Sequence, residues 1–162
     1  MLIRPIEAAD WPAFFPVFRD IVAAGETYAY PLDLTSEQAW GLWVEGAPGV
    51  TVVAVDEGGA VLGSAKSGPN RPARGSHVAT ASFMVSPVAR GRGVGRLLGE
   101  WVLTWAREQG YAAVQFNAVV ETNLAAVALW QDLGFQIIGT VPEAFDSTTH
   151  GRVGLHVMHR YL

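Results

Sequence analysis

Arg90-Gly91-Arg92-Gly93-Val94-Gly95-Arg96 is the segment whose residue types and spacing point most directly to chemistry. Three glycines let a backbone approach a ligand closely and turn successive N–H groups toward one point. A helical pattern follows at once, with Val94, Leu97, Leu98, Trp101, Val102 and Trp105 on one apolar stripe. The open donors and positive dipole end of that helix favour the same kind of ligand, an anion. Three arginines in this loop stand out in a chain of 162 residues with 11 Lys and Arg, 15 Asp and Glu and a net charge of −4. The loop therefore reads as a phosphate cradle. A P-loop would need G-x-x-x-x-G-K-[ST], and no such lysine follows. A dinucleotide fingerprint would need G-x-G-x-x-G, but Gly91 and Gly93 lead to Arg96, and Gly93 and Gly95 lead to Leu98.

The elements that must position this loop follow from periodicity and punctuation. Met1–Pro5 is β-like, and Asp10 stands as the N-cap of a helix with Pro12 just inside it and Gly25 near its end. Thr35 and Gln38 have capping-box spacing and open a short second helix. Val50–Asp56 and Ala60–Lys66 form a hairpin about Glu57-Gly58-Gly59, and His77–Val85 is a third strand, stopped by Ser86-Pro87. The helix from Gly93 to Gln109 closes at Gly110. Tyr111–Val120 is a strand, and Asn123 caps a helix ending near Gly134. Phe135–Val141 and Arg152–Arg160 are strands joined by a polar loop through Asp146–Gly151. The order βααβββαβαββ mixes hairpins with two helical crossovers, which predicts an α/β (α+β) fold with a mixed sheet covered by helices. No linker or low-complexity tract interrupts the chain, so one domain over residues 1–162 is expected.

Composition narrows the function classes. With 50% hydrophobic and 16% charged residues, the chain has enough apolar material for a packed core, which argues against disorder. An acidic balance argues against general nucleic-acid binding, which draws on a basic face. No cysteine is present, which excludes disulfides, thiolate catalysis and cysteine-based metal sites. His156 and His159 lie three apart on one strand and so face opposite sides, and with His150 they make no metal site. No run approaches the ~18–20 apolar residues of a membrane span. Met1-Leu2-Ile3-Arg4-Pro5 lacks the features of a signal peptide. A cytoplasmic protein without nucleic-acid or membrane partners is expected. Low charge and abundant hydrophobic residues invite a homodimer, with the C-terminal strand as the expected contact.

The pattern R-x-x-G-x-G formed by Arg90, Gly93 and Gly95 is preceded by Ser82-Phe83-Met84-Val85-Ser86-Pro87. It is followed by Asn123, Ala126 and Leu129 and then by Leu133-Gly134-Phe135. Together these blocks resemble the GNAT superfamily of acyl-CoA N-acyltransferases. The resemblance implies a seven-stranded, mostly antiparallel mixed sheet with helices on both faces, acetyl-CoA as donor cosubstrate, and no metal. It implies that backbone N–H groups of Arg90, Gly91, Arg92, Gly93, Val94 and Gly95, with Arg96 beside them, hold the pyrophosphate. Met84 and Val85, at the end of a strand splayed from its neighbour, would offer backbone groups to the acetyl carbonyl and the pantetheine arm. The Met84 N–H is the expected oxyanion donor, a role worth about 3–4 kcal/mol when one donor is lost. Asn123 would hydrogen-bond the pantetheine arm or act as a plain helix N-cap, and one side chain can do both.

Trp130 stands seven residues after Asn123, where many members of that family carry a tyrosine that protonates the departing thiolate. Indole has no useful acidity, so no general acid is assigned; Trp130 reads either as a wall of the thioester channel or as core. The attacking amine must first lose a proton. Glu26, in the Gly25–Tyr30 segment that in this family borders the acceptor site, is the expected base through water, and Glu143 is the next candidate. On the strand Tyr111–Val120, Ala113, Gln115 and Asn117 share one face and Val114, Phe116 and Ala118 the other. Asn117 thus either holds an acceptor carboxylate or amide, or bonds an adjacent loop, with His77 and Thr80 as neighbours. The run Phe116–Asn123, with Tyr28 upstream, is also similar to fungal acetyltransferases of proline analogues such as azetidine-2-carboxylate. Asn117 and Asn123 match that subgroup's paired asparagines, and Thr80 replaces another. The expectation is an N-acetyltransferase that moves an acetyl group from acetyl-CoA to a small amine, an amino or imino acid among the options, by direct attack. A non-catalytic acyl-CoA sensor and a protein N-terminal or lysine acetyltransferase are the alternatives.

Overall fold

Strands β1 (Leu2–Pro5), β2 (Val50–Val55), β3 (Val61–Pro69), β4 (Val78–Val85), β5 (Ala113–Val120), β6 (Gln136–Ser147) and β7 (Gly151–Tyr161) form one sheet in the order β1-β2-β3-β4-β5-β7-β6. The computed structural model describes all residues from Met1 to Leu162. Helices α1 (Trp11–Ala24), α2 (Ser36–Trp43), α3 (Val94–Glu108) and α4 (Leu124–Asp132) complete the expected order βααβββαβαββ. Every strand pair is antiparallel except β4–β5, which is parallel and holds only at Val78↔Ala113 and Ala79↔Val114. Beyond Ala79 and Val114 these two central strands part.

Both faces of the sheet are covered, because consecutive side chains on a strand point to opposite sides. Met84 of β4 packs with Phe14, Phe18 and Trp43 of α1 and α2. Its neighbour Phe83 packs the other way, onto the cluster of Leu103, Trp130 and Phe116 built by α3, α4 and β5. Each such large apolar side chain contributes about 1.5–3 kcal/mol when fully buried. The polar atoms that burial traps are paired: the Trp43 indole donates to Ser64 Oγ at 2.9 Å, and Ser64 donates to the Val52 carbonyl at 2.7 Å.

Thr35 and Gln38 form the expected reciprocal capping box, and Gly25 and Gly110 adopt the left-handed conformation, with φ of 67° and 79°. Asp10 departs from expectation. It has helical backbone angles and no capping bond of its own. Its carboxylate instead accepts two 2.7 Å hydrogen bonds from Arg4 and one of 2.8 Å from the Glu7 N–H, which ties β1 to the start of α1. The Arg4 bond holds its pKa below the ordinary carboxylate range.

Four further corrections concern strands β5 to β7. β6 runs on to Ser147, and the polar segment read as loop is reduced to the turn at Thr148–His150. Pairing with β7 resumes at Phe145↔Val153 after an irregularity past Val141, where Pro142 needs no ladder donor. Glu143 therefore lies inside the strand, with φ of 51°, not after it. The C-terminal strand β7 is flanked by β5 and β6, so both its edges are used; the free edge at this end of the sheet is β6, exposed from Gln136 to Ala144, and β1 is the edge at the other end. Finally, the β5–β7 register shifts between Phe116 and Val119, a bulge that inserts one residue. Simple alternation fails there: Val119, not Ala118, shares the buried cluster of Phe116.

Candidate active site

The gap between β4 and β5 opens toward the ends of both strands, which is where the anion loop begins. Within that loop Gly91 and Gly93 have φ of 74° and 78°, a conformation side-chain-bearing residues rarely adopt. The first bond of α3 runs from the Leu97 N–H to the Gly93 carbonyl at 3.0 Å, leaving the N–H groups of Val94, Gly95 and Arg96 as open helix-start donors. Gly95 has a packing reason as well: an added Cβ would lie 3.3 Å from Leu129 and 3.8 Å from Val85. Arg90 and Arg92 are exposed, whereas Arg96 pairs with Asp132 at 3.0 Å and Glu100 at 4.0 Å. Two of the three arginine charges are thus left for a ligand.

The direction of the β4 backbone decides which N–H faces the gap. Ser86 donates its N–H to Leu62 of β3 at 2.9 Å. Phe83 donates its N–H to the Tyr28 hydroxyl at 3.0 Å and accepts from it at 2.7 Å. Backbone groups alternate along a strand, so Met84 shares the direction of Ser86, into β3, and Val85 shares that of Phe83, into the gap. The expected Met84 donor is committed to the sheet; the N–H that faces the opening is that of Val85. Tyr28, read as an acceptor-side residue, spans the gap edge, stacks on Tyr30 at 5.5 Å and meets Trp43 edge-on. Burial of its hydroxyl pushes its pKa well above the ordinary tyrosine value.

On the α1–α2 side the polar groups of β5 form a chain. Gln115 Nε2 donates to Asn117 Oδ1 at 2.8 Å, and Asn117 Nδ2 donates to Asn70 Oδ1 at 2.6 Å. Asn117 is exposed although its amide bonds Asn70 of the adjacent loop. Thr80 lies on the Met84 face of β4, its carbonyl accepting from Ser67 at 2.8 Å. His77 precedes β4 and is exposed, with its carbonyl taken by Ala112. Asn70 escaped sequence reading because Pro69-Asn70-Arg71-Pro72 looks like an ordinary turn.

Glu26 is not a free carboxylate. It accepts from Ser147 Oγ at 2.6 Å, Thr149 Oγ1 at 2.7 Å and the Thr149 N–H at 2.9 Å, while the Thr148 N–H bonds the Gly25 carbonyl at 3.2 Å. The Ser147 and Thr149 hydroxyls hold its pKa below the usual glutamate value. A carboxylate so engaged is a weak base; its geometry is that of a latch between the α1–α2 segment and the β6–β7 turn. Ser147 and Thr149 were invisible as partners because they lie more than a hundred positions away.

Asn123 caps α4, its Oδ1 accepting from the Ala126 N–H at 3.3 Å, and its Nδ2 has no protein acceptor. Trp130, in the last turn of α4, is 6% exposed and lies 4.6 Å from the Phe83 ring and 4.9 Å from that of Phe116. It is core and gap wall at once, since those two phenylalanines belong to the strands that part.

A family model described as the acetyltransferase (GNAT) family matches residues 6–135, most of the chain and all of this site except the β6–β7 turn. The chain belongs to that family. A GCN5-related N-acetyltransferase from Kribbella flavida is similar over 99% of this chain and 97% of its own, with 61% identity and a TM-score of 0.97. A GNAT superfamily phosphinothricin acetyltransferase from Sinorhizobium meliloti, solved with AcCoA, is 26% identical, with a TM-score of 0.88 over 99% of this chain and 88% of its own. An L-methionine sulfoximine/L-methionine sulfone acetyltransferase of Pseudomonas paraeruginosa is 35% identical over 148 residues, 87% of this chain and 83% of that protein. The N-acetyltransferase aca1 of Schizosaccharomyces pombe is 35% identical over 98 residues, 60% of this chain. That match spans 47% of aca1, less than half the fungal protein. The loop, the parted strands and the capping asparagine present open N–H donors, two unpaired arginines and an unpaired amide, a donor set whose chemistry fits acetyl-CoA.

Proposed function

We propose that this protein transfers the acetyl group of acetyl-CoA to the amine of a small, amino-acid-like acceptor. The observation that carries the reading is the parting of β4 and β5 after two residue pairs, which leaves the Val85 N–H facing an open gap beside the Arg90–Arg96 loop. In this reading the N–H groups of Gly91, Gly93, Val94, Gly95 and Arg96 cradle the pyrophosphate, those of Arg90 and Arg92 being taken by the Pro87 and Ala89 carbonyls, while the Arg90 and Arg92 side chains add charge. The Asn123 Nδ2 bonds the pantetheine arm. The Val85 N–H holds the acetyl carbonyl oxygen as charge develops on it. The acceptor enters from the α1–α2 side, with its carboxylate at the Asn70–Asn117 amides and its body beside Tyr28 and Thr80. Its neutral nitrogen attacks the carbonyl carbon directly, and no side chain is assigned as general base.

The Glu26 latch supports a small acceptor over a polypeptide. It bridges the two segments that flank the acceptor side, where a peptide would need an open groove. The relatives that act on methionine sulfoximine and phosphinothricin support the same class. We read residues 1–162 as one cytoplasmic acetyltransferase domain that pairs through the free β6 edge with a second copy, an antiparallel and self-complementary contact. No helix is long and apolar enough to cross a membrane.

The test is release of coenzyme A thiol over an amine panel containing methionine sulfoximine, phosphinothricin, azetidine-2-carboxylate and short peptides. Turnover confined to the amino acids supports the reading. Turnover on peptides alone replaces it with a protein acetyltransferase, and binding of acetyl-CoA without transfer to any amine replaces it with a sensor. Binding itself is read by thermal unfolding, where ligand at 100 times its Kd adds about 2.7 kcal/mol.

A further inference from the structure

The Trp130 indole N–H is an unpartnered donor on a buried side chain. The side chain is 6% exposed, and its Nε1 makes no hydrogen bond, whereas the buried indoles of Trp11 and Trp43 donate to Ser36 and Ser64. No fully sealed side-chain nitrogen or oxygen in the protein lacks a partner, so this N–H reaches an opening. The direction of the ring agrees. Its six-membered edge is turned to α3, where a Cβ on Gly99 would lie 3.0 Å from Cζ3 and 3.9 Å from Cη2. The pyrrole edge therefore faces away from α3. The ring itself rests on Phe83 and Phe116, one from each of the two strands that part. Glycine at position 99 is what admits so large a side chain here.

Phe83, Phe116, Phe135 and Trp130 make this wall aromatic. A thioester sulfur that becomes an anion against such a wall loses hydration and gains nothing in return from the wall except through the unpartnered indole N–H. We propose that the Trp130 Nε1–H donates a hydrogen bond to the sulfur of coenzyme A and stabilises it as the C–S bond breaks. The inference rests on the acetyl-CoA reading above. The amine nitrogen bonds to the carbonyl carbon, the C–S bond breaks, and its electron pair passes to sulfur. The indole proton stays on Nε1 throughout. The proton shed by the acceptor nitrogen goes to solvent, and the departing thiolate takes one from water. Trp130 is thus a donor to the leaving group without being an acid.

The test does not depend on turnover. The thiol of free coenzyme A bound to the protein is titrated by its thiolate ultraviolet absorbance, in the native protein and in Trp130→Phe, which keeps an aromatic ring and removes the donor. The native protein is expected to depress the bound thiol's pKa by a unit or more relative to the variant. In transfer assays Trp130→Phe is expected to lose about tenfold or more in kcat, as for a hydrogen bond to a charged group, with KM for acetyl-CoA little changed. Trp130→Tyr supplies a donor that titrates; it restores kcat and adds a basic limb to its pH profile that the native protein lacks. Equal thiol pKa values in native protein and Trp130→Phe overturn the proposal, including where the variant is merely less stable. If the thiol shift is present but no amine is acetylated, the transfer reading fails and the sulfur contact stands.

Discussion

The Glu26 carboxylate and the Ser147 hydroxyl meet at 2.6 Å across 121 positions of sequence. With the two bonds from Thr149, this contact joins the segment after α1 to the turn between β6 and β7. All three donors favour the ionised carboxylate, so the folded pKa lies below the ordinary value of 4.5. A depressed carboxylate stabilises the fold above its unfolded pKa and loses that contribution as pH falls through the folded one. Glu26→Gln is therefore expected to lower Tm near neutral pH, and the gap to the native protein should narrow on acidification below about pH 4.5. The acceptor KM should rise several-fold while acetyl-CoA binding is unchanged. A large loss of kcat with KM preserved would instead make Glu26 the base.

Changes in the loop should separate backbone from charge. Gly93→Ala forces a side chain into φ of 78°, at a cost of about 1–2 kcal/mol. Gly93→Asp adds a like charge beside a phosphate and should weaken acetyl-CoA binding by more than tenfold, on the order of 1.4 kcal/mol. Arg90→Ala should weaken it with a reduced salt dependence. Arg96→Ala removes an exposed ion pair with Asp132 and should matter by less than about 1 kcal/mol. Isothermal titration with acetyl-CoA measures all four.

Tyr28→Phe strips the partner from both the N–H and the carbonyl of Phe83. A buried group left unsatisfied costs about 1–3 kcal/mol. Thermal unfolding should show a fall of about 2–4 °C per kcal/mol for a chain of this size. The native hydroxyl has its pKa raised by burial, so its contribution is present below the ordinary value of 10.0 and is lost as pH climbs through the folded pKa. The stability gap should narrow only in strong alkali.

Asn117→Leu is expected to raise the acceptor KM by about tenfold, the size of a hydrogen bond to a charged group, with KM for acetyl-CoA unchanged. Asn70→Leu should reproduce part of that loss, since it removes the acceptor that holds the Asn117 amide in place. Asn123→Ala should do the opposite, raising KM for acetyl-CoA and costing about 1 kcal/mol of stability through the lost cap.

The β6 edge predicts its own outcome. Ile138 is 59% exposed on β6, an edge strand paired only with β7. Ile138→Lys should shift sedimentation from dimer toward monomer without altering the far-ultraviolet spectrum; a native protein that sediments as a monomer at all concentrations removes the dimer.

The donor side was legible in the chain because it is written locally. The glycines of the loop, the stripe of α3 and the Asn123 cap act within a few residues of themselves, so spacing alone carried their geometry. Element order was legible for the same reason. What only the tertiary structure decided depends on which distant segment lies alongside. Whether Met84 or Val85 faces the gap is set by the pairing of β4 with β3. The one-residue bulge in β5 re-aims every side chain after Phe116, and no local pattern announces it. Glu26 looked like a free base until the β6–β7 turn closed on it, and β7 looked like an edge until β6 paired outside it. Short-range hydrogen bonds and periodicity are properties of a segment; strand register, bulges and cross-chain partners are properties of the fold.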